Sequence, residues 1–215
     1  MAGVGVIFDM DGTLWDSSQE VADSWSRVLK RHPEAGRTVT RSDIQAVMGM
    51  PMTDIARTLF AGLPEGQQMA LLDECTSYEN EYLAARGGGL YPGLTSALDA
   101  LAGDYTLLIV SNCQSGYIEA FLEHYDFGRY FAGHLCFGDN GLAKAANIRE
   151  IARRFDLEEY YYVGDIQADY DAAAKAGAHF IHAAYGYGTI REPVPRLTAI
   201  TELPQLLHTL RRKEK

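Results

Sequence analysis

A short apolar run, Val4-Gly5-Val6-Ile7-Phe8, stops abruptly at Asp9-Met10-Asp11-Gly12. A run that brief and that uniformly apolar suits a strand buried on both faces, as in a parallel sheet covered by helices on each side. Acids placed immediately after such a strand sit where open parallel sheets bind ligands, outside the carboxyl ends of their strands. The start of the chain therefore predicts both a fold class and an address for chemistry.

The rest of the pattern agrees in class but is interrupted. Ser17 with Glu20 three residues on reads as a capping box opening a helix that ends before Pro33. Thr40 and Asp43 open a second helix, a third spans about 53–62, and a fourth runs from Pro64 towards Arg86, where Gly87-Gly88-Gly89 can act as a hinge. After Pro92-Gly93 helices and strands alternate: helix 94–102, strand 106–110, helix 116–125, strand 135–137, helix 147–155, strand 160–163, helix 168–176, strand 180–182, a short strand 198–200 and a last helix 202–212. Such alternation implies right-handed crossovers and a doubly wound parallel sheet, a Rossmann-like α/β core. The expected division is a core of residues 1–15 and 90–215 with an all-helical cap, 16–89, inserted after the first strand. Residues 211–215 read as a solvated, frayed tail.

With 215 residues, 47% hydrophobic and 22% charged, the chain suits one such core plus a small insertion. Its formal net charge of −10, without a basic stripe, argues against nucleic acid as a partner. Cys75, Cys113 and Cys136 are odd in number and widely spaced, which reads as reduced thiols in a cytoplasmic protein. The N-terminal residues do not read as a signal peptide, and no stretch nears the roughly 18 apolar residues of a membrane span. A monomer or small homo-oligomer is expected.

The strand-end rule selects the candidates. The first strand ends at Asp9 and Asp11, the second at Ser111 and Asn112, and strand 160–163 at Gly164-Asp165 with Asp169 beyond; Lys144 lies in the loop before helix 147–155. Several carboxylates in one crevice need a counterion, and hard oxygen ligands in that number favour Mg2+. A lysine and a hydroxyl beside them suit a phosphate.

In order and spacing these residues resemble the four motifs of the haloacid dehalogenase-like hydrolase superfamily: Asp9-Met10-Asp11-Gly12-Thr13-Leu14, then Ser111-Asn112, then Lys144, then Gly164-Asp165 with Asp169. Tyr91-Pro92-Gly93 and Tyr185-Gly186-Tyr187-Gly188 resemble its phosphoglycolate phosphatase-like branch. The resemblance implies a Mg2+-dependent phosphatase acting on a small phosphorylated metabolite. In it Asp9 is the nucleophile that forms an aspartyl-phosphate and Asp11 the general acid and base. It further implies that Ser111, Asn112 and Lys144 bind the transferring phosphoryl group. The metal would be held by Asp9, the Asp11 carbonyl and Asp165, with Asp169 nearby. Dehalogenases of the superfamily lack an acid at the position of Asp11, so its presence favours phosphoryl chemistry. Ala145 where the pattern has proline, and Gln167 where it often has threonine, bear on the narrow assignment to phosphoglycolate and not on the class.

Other readings stand beside these. Asp-x-Asp-Gly after a strand can be a plain turn, and Asp169 a helix N-terminal charge. Cys113 reads as a buried thiol, and His179 and His182 as packing or surface residues. Tyr160-Tyr161-Tyr162 reads as core-facing rings. Gly49-Met50-Pro51-Met52 is placed facing the site by the resemblance, and Arg57 reads as a solvated helix face. A sugar phosphomutase on the same scaffold and a noncatalytic phospholigand-binding protein are the alternative functions.

Overall fold

The computed structural model describes residues 3–213. Its first strand, β1 (Gly3–Phe8), forms from the apolar run and lies inside a six-stranded sheet. Side chains alternate along it, so Val6 and Phe8 enter one buried cluster and Ile7 the other, all fully buried. Two apolar faces on one strand explain why the run is continuous rather than alternating.

From β1 the chain passes through β2 (Trp15–Asp16) into four helices: α1 (Ser18–Leu29), α2 (Arg41–Val47), α3 (Met52–Leu59) and α4 (Glu65–Arg86). It returns through β3 (Gly89–Leu90), which pairs antiparallel with β2. There follow α5 (Leu94–Leu101), β4 (Thr106–Ser111), α6 (Tyr117–Tyr125), β5 (Phe131–Cys136), α7 (Phe137–Asn140), α8 (Lys144–Arg154), β6 (Leu157–Gly164), α9 (Gln167–Ala176), β7 (His179–Ala183), β8 (Arg196–Leu197) and α10 (Leu203–Lys213). The strand order is β5-β4-β1-β6-β7-β8, and each neighbouring pair is parallel. The order reverses around β1, whose partners are β4 on one side and β6 on the other. A crevice therefore opens at its carboxyl end.

One apolar cluster covers a face of the sheet and runs on into the helices between β2 and β3. It joins Phe8 and Ile109 through Phe121 and Trp15 to Trp25 and Leu83. The other cluster, with Ile7, Leu108, Tyr162 and Ile148, lies under α8 and α9. Among the described residues no helix is long and apolar enough to cross a membrane.

Several local expectations are corrected. The capping box of Ser17 and Glu20 is absent: Ser17 makes no cap bond, and the Ser18 amide donates to Asp16 Oδ1 at 3.0 Å. The Ser17 hydroxyl is drawn instead to Asp11 and Tyr117. The Thr40–Asp43 box does form, with the Thr40 amide donating to Asp43 Oδ2 at 2.8 Å. Lys144 is not in a loop but is the first residue of α8. The third sheet strand begins at Phe131 rather than 135. The strand expected at 198–200 stands at Arg196–Leu197, because the Thr198 amide and hydroxyl donate to Glu202 (2.8 and 2.7 Å) and turn the chain into a 3-10 segment, Ile200–Glu202. The tail is helical to Lys213, with the Arg211 guanidinium 5.6 Å over the Tyr105 ring; Glu214 and Lys215 lie outside the described residues.

Phe121 packs edge-on against Trp15 (centroids 5.0 Å apart) and against Phe127 (5.6 Å), where the two halves of the large cluster meet. Phe121→Ala is expected to lower unfolding free energy by about 3–5 kcal/mol, read as a fall in the denaturant midpoint.

Candidate active site

Asp9 continues β1 by one residue, its amide donating to the Val163 carbonyl at 2.9 Å. The chain then folds tightly: the Thr13 and Leu14 amides donate to the Met10 carbonyl (3.1 and 2.8 Å), and the Gly12 amide to Trp15 (2.9 Å). Gly12 has φ +81°, and a Cβ there would fall 2.2 Å from Asp165 Oδ2. At Gly186 a Cβ would lie 2.4 Å from the Asp165 Cβ and 2.3 Å from the Gly12 carbonyl oxygen. Only glycine at both positions lets the two loops close this tightly on Asp165.

Lys144 is the centre of the buried charge. Its Nζ donates to Asp9 Oδ1 at 2.9 Å and to Asp169 Oδ1 at 2.6 Å, with all three side chains buried. Burial works against the ammonium, but Asp169 and Asp9 outweigh it and hold Lys144 firmly protonated. Asp169 Oδ2 accepts from the amides of Asp165 and Ile166 at 3.1 and 3.2 Å, so this residue also caps α9. The helix-terminal reading of Asp169 thus holds, and the same side chain reaches Lys144 beside Asp9. Asp165 Oδ2 accepts from the Tyr187 amide at 2.8 Å. Burial first, and then the neighbouring carboxylates, push the Asp165 carboxyl up; burial does the same to Asp9, against Lys144.

Carboxylate oxygens of Asp9, Asp165 and Asp169 all lie within 4.8 Å of one another. Three carboxylates stand against one ammonium, a balance that a divalent cation would complete. Both Asp169 oxygens already have protein donors, so Asp9 and Asp165 are the better placed to hold a metal directly.

The side chain of Asp11 is outside that group. Its Oδ1 accepts from Ser17 Oγ and Tyr117 Oη, each at 2.7 Å, and these two hydroxyls lie 2.7 Å from each other. Burial pushes the Asp11 carboxyl up to about 6, against the pull of the two hydrogen bonds. Two carboxylates two residues apart therefore occupy different environments, one beside an ammonium and one between neutral hydroxyls.

Ser111 ends β4, buried beside a cavity of about 50 Å³ that Asp9 and Asp11 also line. Asn112 lines it too, but its amide donates to the Gly49 carbonyl at 2.9 Å and so ties the end of β4 to the loop before α3. Gly49, Met50 and Met52 border the cavity. Arg57 is turned away, paired with Asp54 (3.4 Å) and Glu65 (3.0 Å) on an exposed face. Cys113 is a buried thiol whose pKa burial raises well above the ordinary value. Tyr161 and Tyr162 are buried, Tyr160 partly so, while His179 is exposed and His182 buried.

Sequence reading missed Ser17 as an anchor, Tyr117 altogether, and Glu79 on α4, which also lines the cavity. Ser17 looked like a cap, and neither Tyr117 nor Glu79 belongs to a motif. Nothing in the linear order signals that residues 106 apart, Asp11 and Tyr117, share a hydrogen bond.

Comparison with known proteins bears on the same residues. Residues 6–183 match the family model for haloacid dehalogenase-like hydrolases. The phosphoglycolate phosphatase of Salmonella typhimurium is 27% identical, over 85% of this chain and 82% of that one. The tyrosine-protein kinase PtkA of Mycobacterium tuberculosis is 28% identical, over 85% of this chain and 62% of that one. Among solved structures, a haloacid dehalogenase-like hydrolase from Bacteroides fragilis superposes with a TM-score of 0.79 at 24% identity, covering 94% of this chain and all of that one. The chain belongs to the haloacid dehalogenase-like hydrolase family, and its likeness there runs to the phosphoglycolate phosphatase branch.

Proposed function

We propose that the chain is a Mg2+-dependent phosphatase that hydrolyses a small phosphomonoester through an aspartyl-phosphate on Asp9. The observation that carries this reading is the different setting of two acids on one loop. Asp9 touches Lys144 and faces Asp165, whereas Asp11 is held by Ser17 and Tyr117. Acids separated in this way suit separate tasks.

Asp9 and Asp165, with the Asp11 carbonyl, would hold the metal, and bound there it would offset the repulsion between carboxylate and phosphate. Asp9 attacks phosphorus and takes the phosphoryl group, so the second step needs only water. Lys144 and the Ser111 hydroxyl hold phosphoryl oxygens where charge must be stabilised. Asp11 gives its proton to the leaving alcohol and later takes one from the attacking water, with Ser17 and Tyr117 keeping its carboxyl aimed. Asn112 acts one step removed, by fixing the Gly49 loop beside the site.

A phosphomutase is the weaker reading. Transfer of the phosphoryl group to water rather than to a second sugar phosphate separates hydrolysis from that reading. A purely binding protein has no use for an acid at position 11.

We further propose that residues 16–89 form a lid hinged where β2 and β3 pair. Tyr125 Oη clasps this point, donating to the Gly88 carbonyl at 2.5 Å and accepting from its amide at 3.0 Å.

Hydrolysis of p-nitrophenyl phosphate is expected to require Mg2+ and to vanish with EDTA. Asp9→Asn is expected to lower it by more than about 10³-fold, with no acid-stable phosphoprotein after quenching; full activity in that variant would sink the nucleophile assignment. Asp11→Asn is expected to cost about 10²–10⁴ in kcat for esters with poor leaving groups, and less for p-nitrophenol. Hydrogen exchange in 16–89 is expected to slow when a phosphate analogue binds; unchanged exchange would rule out the lid.

A further inference from the structure

The cavity carries a charge that hydrolysis does not use. Glu79, partway along α4 and only 3% exposed, lines it together with Asp9 and Asp11. Its Oε2 accepts from the Trp25 indole Nε1 and its Oε1 from Gln114 Nε2 at 3.0 Å, both neutral donors. No Lys, Arg or His lines the cavity or pairs with Glu79 among the described residues. A carboxylate buried without a cation is costly, and burial pushes this one up to about 7.

The surroundings narrow what such a carboxylate can receive. Trp25 and Tyr117 line the same cavity, and aromatic rings attract cations over their faces. Val47, Met48 and Met52 give the same cavity apolar lining beside its polar groups. A leaving group that carries its own carboxylate would meet Glu79 and find no basic side chain to pair with.

We propose that the leaving alcohol of the natural substrate bears a cationic nitrogen on a short apolar stem, and that Glu79 with Trp25 receives this nitrogen while the phosphoryl group lies at Asp9. The proposal rests on the phosphatase reading. It separates this chain from relatives named as phosphoglycolate phosphatases, whose leaving group is an anion.

The test uses the full chain with Mg2+ at about pH 8, where an ordinary primary ammonium stays charged. Three esters are compared: 2-aminoethyl phosphate, propyl phosphate and phosphoglycolate. By the worth of a charge-assisted hydrogen bond, kcat/KM for 2-aminoethyl phosphate is expected to exceed that for propyl phosphate by about tenfold or more, and that for phosphoglycolate by about a hundredfold. Glu79→Gln is expected to bring the amino and propyl esters within about threefold of each other. Phosphoglycolate turned over as well as the amino ester, or an unchanged amino-to-propyl ratio in Glu79→Gln, would overturn the proposal. If that variant fails to fold, the wild-type ratios alone decide. Failure of the phosphatase reading would show differently, as no turnover of any ester, p-nitrophenyl phosphate included. Calorimetric binding of the amino ester and phosphoglycolate to the wild-type chain would then decide, with tighter binding of phosphoglycolate the overturning result.

Discussion

A single buried ammonium, that of Lys144 between Asp9 and Asp169, organises the carboxyl edge of the sheet. It joins the end of β1 to the start of α8 and the start of α9, three places far apart in the chain. Carboxylates buried so deep without a cationic partner would be costly, as would an unpaired ammonium. Asp169 transmits the constraint further by holding the Asp165 and Ile166 amides. The turn that presents Asp165 is thereby set by the same ion pair.

Sheet topology makes this meeting possible. Because β1 has β4 and β6 as parallel neighbours, Asp9, Ser111 and Asp165 emerge from adjacent strands on one edge. Close approach then depends on what is missing: at Gly12 and Gly186 any side chain would collide with Asp165. The helices between β2 and β3 close over this edge through an apolar cluster continuous with one face of the sheet. This continuity brings Trp25 and Glu79 to the same cavity as Asp11.

Legibility differed by the kind of information each element needs. Strands buried on both faces could be read because their apolar runs are local, as Val4–Phe8 shows. The Thr40–Asp43 cap could be read because both partners lie within four residues. Ser17 misled for the same reason. Its spacing to Glu20 fits a cap, yet Asp11 and Tyr117 compete for the hydroxyl and win in the folded chain. The strand expected at 198–200 gave way to a competing local bond, Thr198 to Glu202.

By itself the order of residues determined the α/β class, the helical block after the first strand, and the candidate acids at strand ends with a lysine between them in sequence, since each is written in periodicity or in a short motif. Tertiary structure alone decided how those groups differ. It placed Lys144 against Asp9 rather than in solvent, put Asp11 between two hydroxyls, and engaged the Asn112 amide with Gly49. It also buried Glu79 where, among the described residues, no basic side chain lines the same cavity. The physical reason is that desolvation and pairing depend largely on neighbours far apart in the chain, 135 positions for Lys144 and Asp9 and 106 for Tyr117 and Asp11, distances no local pattern spans.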